Sequence, residues 1–138
     1  MMPKNIHATL IKIKNKGVLF VGPSCSGKSD MALRFIAEHK AKLVADDRVD
    51  VTVKKGCAFG AAPKILSGKL EVRGIGIVNV FFSNKHKIDL VVELSSDKIE
   101  RMPQSEQYDL EGVVLPKIRL NPFESSAPAK ILAFLRLL

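Results

Sequence analysis

The chain has 138 residues, 46% of them hydrophobic, and carries 22 Lys and Arg against 14 Asp and Glu, a formal net charge of +8. That length supports one core, so residues 1–138 are read as a single domain. No run approaches the roughly 20 apolar residues that cross a bilayer. Met1–Lys16 alternates Lys with apolar residues instead of offering a signal-peptide stretch, so a cytoplasmic protein without membrane attachment is expected.

Cys25 and Cys57 have no CxxC spacing and no His or Cys companions, which argues for free thiols over a zinc site or disulfide framework. The positive charge favours an anionic partner. With no Trp, one Tyr and no helix-turn-helix, RNP or KH pattern, nucleic acid is not expected. Bound phosphates and an acidic protein substrate account for the charge equally well.

Ile6, Ala8, Leu10, Ile11 and Ile13 alternate with polar residues, predicting one half-buried strand that ends at Asn15-Lys16-Gly17. Val18–Val21 reads as a strand covered on both faces, stopping at Gly22-Pro23. Met31, Ala32, Phe35 and Ile36 then recur at helical spacing, with Asp30 in the first turn, predicting a helix from Lys28 to His39. Leu43–Ala45 is a short strand ending in Asp46-Asp47, and Val49, Val51 and Val53 alternate as another.

Gly56–Ser67 reads as a connection with one helical turn at Lys64–Leu66. Leu70–Phe82, rich in β-branched residues but broken by Gly74 and Gly76, predicts strands around a tight turn. Ile88–Leu94 is a further strand, Glu100–Glu111 a polar loop, and Val113–Leu120 a last strand weakened by Pro116. A closing helix is capped by Ser125 or Ser126, takes Pro128 in its first turn and bears Ile131, Leu132, Leu135 and Leu138 on its apolar face.

The strongest motif is Gly22-Pro23-Ser24-Cys25-Ser26-Gly27-Lys28-Ser29, which matches GxxxxGK[ST] between a buried strand and a helix. Such a loop turns backbone N–H groups toward phosphate oxygens, while Lys28 adds a cation and Ser29 a metal-ligating hydroxyl. A Gly/Ser-rich turn without a ligand is the plainer alternative. If position 25 needs a left-handed backbone, Cys25 costs about 1–2 kcal/mol relative to Gly. Asp46 and Asp47 end a strand 18 residues beyond Lys28, where one carboxylate can face a metal and the other an acceptor hydroxyl. Spacing alone does not single out His7 or Arg101.

Together these segments resemble the catalytic domain of HPr kinase/phosphorylase over residues 5–122. Leu70–Val80 resembles that family's signature and Leu43–Val49 its acidic strand end, with Gly60-Ala61-Ala62-Pro63 and Ile65-Leu66-Ser67 between them. The resemblance implies an α/β fold, a P-loop kinase core of the HPr kinase/phosphoenolpyruvate carboxykinase-like type, with a mixed twisted sheet, a P-loop helix and a C-terminal helix. It implies ATP and Mg2+, phosphorylation of a serine on the phosphocarrier HPr, reversal by inorganic phosphate, and hexameric assembly.

By the same resemblance Asp47 is the base, Asp46 assists it, and Lys28 holds phosphates. Ser29 and Glu71 hold magnesium, and His7, 15 residues before Gly22, completes the site. Arg101 matches the family's catalytic arginine. Three departures stand out: no additional N-terminal domain, Cys25 in place of a usual glycine, and no Arg/Gly/Asn-rich loop near Lys117–Pro122. In these respects the chain is similar to the short alphaproteobacterial form. A small-metabolite kinase and a nucleotide-dependent interaction module without turnover are the alternatives. A GTPase is disfavoured because Asn84-Lys85-His86-Lys87 fails the last position of NKxD.

Overall fold

The computed structural model describes residues 3–138; Met1 and Met2, which open the expected domain, lie outside the described residues. The elements in chain order are β1 (Lys4–His7), β2 (Thr9–Ile13), β3 (Lys16–Val21), α1 (Lys28–His39), β4 (Lys42–Ala45), β5 (Arg48–Lys54) and β6 (Cys57–Ala61). They continue as β7 (Lys69–Val72), β8 (Gly76–Asn79), β9 (Lys85–Lys87), β10 (Leu90–Leu94), β11 (Glu106–Leu110), β12 (Val113–Leu120) and α2 (Ala127–Leu135). A 3-10 turn occupies Lys64–Leu66 as expected.

A mixed six-stranded sheet runs in the order β11-β12-β10-β3-β2-β4, a four-stranded sheet in the order β1-β5-β6-β9, and β7 pairs with β8 alone. β3, β10 and β12 are parallel, and β4, antiparallel to β2, shares their direction. Four strand ends therefore meet at one edge of the sheet. The phosphate loop, Asp46-Asp47, Ser95–Asp97 and Asn121–Phe123 all leave from that edge.

The six-stranded sheet is covered on both faces, which is why its central strands read as continuous apolar runs. On one face Val18, Phe20, Leu90 and Val92 pack against Met31 and Phe35 of α1 and Ile131 of α2. On the other, Leu19 and Val91 meet Val49, Val51 and Ala58 of the four-stranded sheet. Ile131, Leu132 and Leu135 of the expected apolar face of α2 thus pack on its own core, whereas Leu138 lies beyond the helix and is exposed.

Several boundaries differ from the sequence expectation. The single strand over Ile6–Ile13 divides at Ala8: β1 pairs with β5, and β2 pairs with β3 and β4. The turn that follows is Lys14-Asn15, with φ of 48° and 65°, so Lys16 and Gly17 already belong to β3. Both φ values are positive, as in a type I′ turn, whose backbone twist matches the right-handed twist of the two strands it joins.

Two strands stand where a connection and a loop were expected. β6 follows Lys55-Gly56 and β11 precedes Glu111-Gly112, and in each pair both φ values are positive, closing two-residue hairpins. Pro116 sits inside β12 next to β11, but the parallel ladder to β10 begins only at Lys117. Its missing N–H therefore falls just outside that ladder.

β6 escapes notice because its inward positions are Ala58 and Gly60. A Cβ at Gly60 would lie 2.5 Å from Leu10 Cδ2 and 2.9 Å from Val49 Cγ1, so the two sheets approach closely there. Gly60→Ala is expected to destabilise the fold by about 1–3 kcal/mol through overpacking. Urea unfolding checks this; an unchanged midpoint would mean the sheets can part at no cost.

Candidate active site

β3 occupies a central place in its sheet and delivers Gly22 at the strand-end edge. A Cβ on Gly22 would meet Ser26 Oγ at 2.7 Å and Leu94 O at 2.9 Å, so only glycine lets the loop fold this tightly. Ser26 N–H donates to Pro23 O at 3.1 Å, and Met31 N–H donates to Gly27 O at 2.9 Å as α1 begins. Cys25 does adopt the left-handed region, with φ of 65°. A non-glycine residue there carries about 1–2 kcal/mol of strain.

Lys28 is buried, and its Nζ donates to Gly22 O at 2.9 Å, to Pro23 O at 2.8 Å and to Ser26 Oγ at 3.4 Å. Burial pushes its ammonium below the ordinary lysine pKa, against the opposing pull of Asp47, Cys25 and Asp46. The cation is thus held against the loop's own carbonyls.

The two acids after β4 take opposite fates. Asp46 is 8% exposed and accepts three hydrogen bonds: from Ser29 Oγ at 2.6 Å, Thr9 Oγ1 at 3.1 Å and Glu71 N–H at 3.1 Å. Asp47, with φ of 69°, turns outward, and its side chain is 67% exposed. His7 Nε2 donates to Asp47 Oδ1 at 2.8 Å, because β1 runs antiparallel to β5 and brings His7 opposite Arg48.

Of the residues singled out from the sequence, Lys28, Ser29, Asp46, Asp47 and His7 gather around the start of α1 and the end of β4. Glu71 joins them through its backbone amide. Arg101 stands apart: it is exposed in the segment after β10 and, among the described residues, makes no hydrogen bond or ion pair with any of the others. Its assignment rests on the resemblance alone.

Two contacts went unforeseen. Thr9, fully buried, bridges the acids by donating to Asp46 and accepting from Asp47 N–H at 3.4 Å; nothing in its sequence neighbourhood marks that role. Arg73 Nη2 donates to Cys25 Sγ at 2.8 Å, joining the β7–β8 hairpin to the phosphate loop. No local sequence pattern announces that pairing.

A glycine-rich loop with a buried lysine, a serine bound to a buried carboxylate and an exposed carboxylate oriented by histidine is an arrangement suited to phosphoryl chemistry. Residues 2–133 match the family described as HPr Serine kinase C-terminal domain. The chain belongs to the HPr serine kinase C-terminal domain family. Among similar proteins, an HPr kinase/phosphorylase of Streptococcus thermophilus is 35% identical over 129 residues, covering 84% of this chain and 41% of that protein.

One of Lactobacillus acidophilus is 42% identical over 98 residues, covering 65% of this chain and 30% of that protein. The chain thus spans about two fifths, or less, of the length of these curated relatives. The solved structure of the Hpr(Ser) kinase/phosphatase from Coxiella burnetii is 26% identical with a TM-score of 0.84, covering 97% of this chain and 95% of that one. The α/β fold with a mixed sheet and two helices is that of this HPr kinase family member.

Within this HPr serine kinase domain, Thr9 is the residue that couples the two acids. Thr9→Val is expected to lower stability by about 1–3 kcal/mol, since it strips a donor from a buried carboxylate. Thr9→Ser keeps the hydroxyl and is expected to lose less. Equal losses in urea unfolding would show that the methyl matters as much as the hydroxyl, and an unchanged midpoint in Thr9→Val would show that the hydroxyl contributes nothing.

Proposed function

We propose that this HPr serine kinase domain transfers the γ-phosphoryl group of ATP to a seryl hydroxyl of an HPr-like phosphocarrier. The observation that carries the reading is the pairing of His7 with the exposed Asp47 beside Asp46, Ser29 and the Lys28 loop. An outward carboxylate at a sheet edge suits a protein acceptor, whose serine must reach the base from outside. A metabolite kinase would be expected to enclose its acceptor instead.

ATP chemistry implies Mg2+, and the donors here fit that ion, because Ser29 and the carboxylates of Asp46 and Glu71 are hard oxygens. Ser29 and Glu71 would hold it. Bound there, the ion would neutralise charge on the phosphates. Ser29 Oγ, now donating to Asp46, is kept turned toward the acids. Lys28 and the loop N–H groups hold the β- and γ-phosphates.

Asp47 takes the seryl proton while the seryl oxygen bonds to the γ-phosphorus and the bond from that phosphorus to the ADP oxygen breaks. His7 occupies Oδ1 of Asp47, leaving Oδ2 for the proton. When inorganic phosphate attacks phosphoserine, Asp47 returns the proton to the leaving seryl oxygen and pyrophosphate forms. Arg101 would steady transition-state charge in this scheme.

No helix among the described residues is long and apolar enough to cross a membrane. A cytoplasmic homo-oligomer, hexameric by resemblance, completes the reading. Ile75 and Phe81, 76% and 82% exposed, supply apolar surface for contact between copies.

Purified protein with magnesium-ATP and HPr, followed by intact mass, is expected to add one phosphoryl group to HPr. Asp47→Asn is expected to slow transfer by about 10²–10⁴-fold, as loss of a general base does, and Lys28→Ala to abolish it. Unimpaired transfer by Asp47→Asn would refute the base, and turnover of small metabolites alone would favour the metabolite-kinase alternative.

The Lys28 shift gives a pH signature. Phosphate favours the charged ammonium, so the pKa of Lys28 rises on binding from its depressed value in the free protein. Affinity is therefore greatest below that depressed value and falls as pH rises through it. Calorimetric ATP titrations from neutral to alkaline pH should show this decline, and Lys28→Met should lack it.

A further inference from the structure

The end of the molecule opposite the phosphate loop is made of strand starts and hairpin turns. β3, β4, β10 and β12 share one direction, so Lys16, Lys42, Leu90 and Val113 begin them there. Asp89 N–H donates to Gly17 O and Ile88 N–H donates to Ala58 O, each at 2.8 Å. Those two bonds place the Lys14-Asn15 turn of one sheet at the same end as the Lys55-Gly56 turn of the other. The Lys4–Glu111 contact at 3.9 Å brings the start of β1 there as well.

This end concentrates lysine beyond anything the fold requires. Lys14, Lys40, Lys42, Lys54 and Lys55 are exposed on it, with Lys12 and Lys16 half-buried beside them. Among the described residues, none of these pairs with a carboxylate. Lys12 and Lys42 are direct cross-strand partners of β2 and β4, a placing of like charges that costs stability. The acids nearby are few and mostly engaged. Asp89 accepts from Gly17 N–H at 2.8 Å and lies 3.9 Å from Lys87, Glu111 meets Lys4, and Glu38 is in the last turn of α1. An external anion would relieve the repulsion.

The kind of anion follows from what this end lacks. Residues 12–17, 38–42, 53–57 and 87–89 contain no Arg, Phe, Tyr or Trp, and none of the exposed large apolar side chains lies in them. Protein interfaces centre on aromatic, Met and Arg anchors and are poor in Lys. Nucleic-acid readers use Arg forks at base edges or aromatic platforms for stacking. Lysine ammoniums are point charges on flexible stems, which suits a fluid layer of phosphate headgroups. Polybasic clusters of about 4–8 charges are what anionic leaflets attract.

We infer that this end docks reversibly on an anionic phospholipid surface through the lysines of the β2–β3 and β5–β6 turns and the start of β4. The sequence expectation of no membrane attachment rested on the lack of an apolar run, which contact by charge with headgroups does not need. The six residues of β3, at about 3.3 Å each, hold the phosphate loop roughly 20 Å from that surface. Docked this way, the domain turns Gly22–Ser29 and Asp47 away from the lipid, open to a soluble acceptor. The inference does not depend on the transfer reaction proposed above.

Co-sedimentation of the 138-residue chain with vesicles of phosphatidylcholine, alone or mixed with phosphatidylglycerol, tests it. Binding is expected to the mixed vesicles only. It should be lost between about 0.1 M and 1 M salt, where the screening length drops from about 10 Å to about 3 Å. Each lysine near an anionic leaflet is worth about fivefold in binding, so Lys54→Gln combined with Lys55→Gln is expected to weaken it about 10- to 30-fold. Lys64→Gln combined with Lys98→Gln removes as much charge from exposed sites elsewhere and should change it by less than about twofold.

No binding to the mixed vesicles at the lower salt would overturn the inference. Equal weakening by the two double variants would also overturn it, since net charge and not this end would then govern. Retention of a DNA duplex through Lys54 and Lys55, without vesicle binding, would overturn it in favour of nucleic acid.

Discussion

A buried carboxylate that, among the described residues, has no ion-pair partner organises the site. Asp46 draws its stabilisation from two hydroxyls and one amide, on α1, β2 and β7. A charge kept from water is costly unless hydrogen-bonded, and bonds to charged groups are each worth about 1.5–3 kcal/mol. Four segments far apart in sequence, those three and β4, must therefore be in place together before Asp46 is satisfied.

The next residue shows how a neighbouring acid escapes the same fate. Asp47 enters the left-handed region, which turns its carboxylate outward to His7. One backbone reversal separates a structural acid from an accessible one. The phosphate loop adds its own strain at Cys25, and Arg73 binds that thiol, so the β7–β8 hairpin and the loop are mechanically joined. Lys28 is folded onto the loop's own carbonyls.

Much of this was legible because its cause is local. The α1 boundaries Lys28–His39 follow from the glycine before and the apolar spacing within. Val113–Leu120 was recognisable despite Pro116, since the ladder to β10 begins only at Lys117. The acids after Leu43–Ala45 stood out because they end a short buried strand 18 residues beyond Lys28. The family resemblance supplied His7, and the structure sets it against Asp47.

What stayed hidden depends on partners. β6 buries alanine and glycine, so its hydrophobic alternation is faint, and its hairpin loop is Lys-Gly in place of the stronger Asn-Gly signal. β11 is an edge strand with only Leu110 buried, and edge strands tolerate polar residues. The break at Ala8 arises because the two halves of one periodic run bond to different sheets, which no one-dimensional pattern records. Arg34 and Arg73 act across the fold, and nothing near them in sequence points to Pro122 or Cys25.

The topology also separates two meanings of the positive charge. Lys14 lies in the turn that enters β3 and Lys16 opens that strand, whereas the Gly22–Ser29 loop leaves its other end. At about 3.3 Å per residue the six-residue strand puts roughly 20 Å between them. That is more than twice the Debye length of about 8 Å at physiological salt, so those lysines contribute little to holding phosphate. Near the loop the cations are Lys28 and Arg73, one engaged with carbonyls and the other with a thiol. Net charge alone therefore says little about phosphate affinity here; under the proposed reading, backbone amides and a single buried ammonium would carry that task.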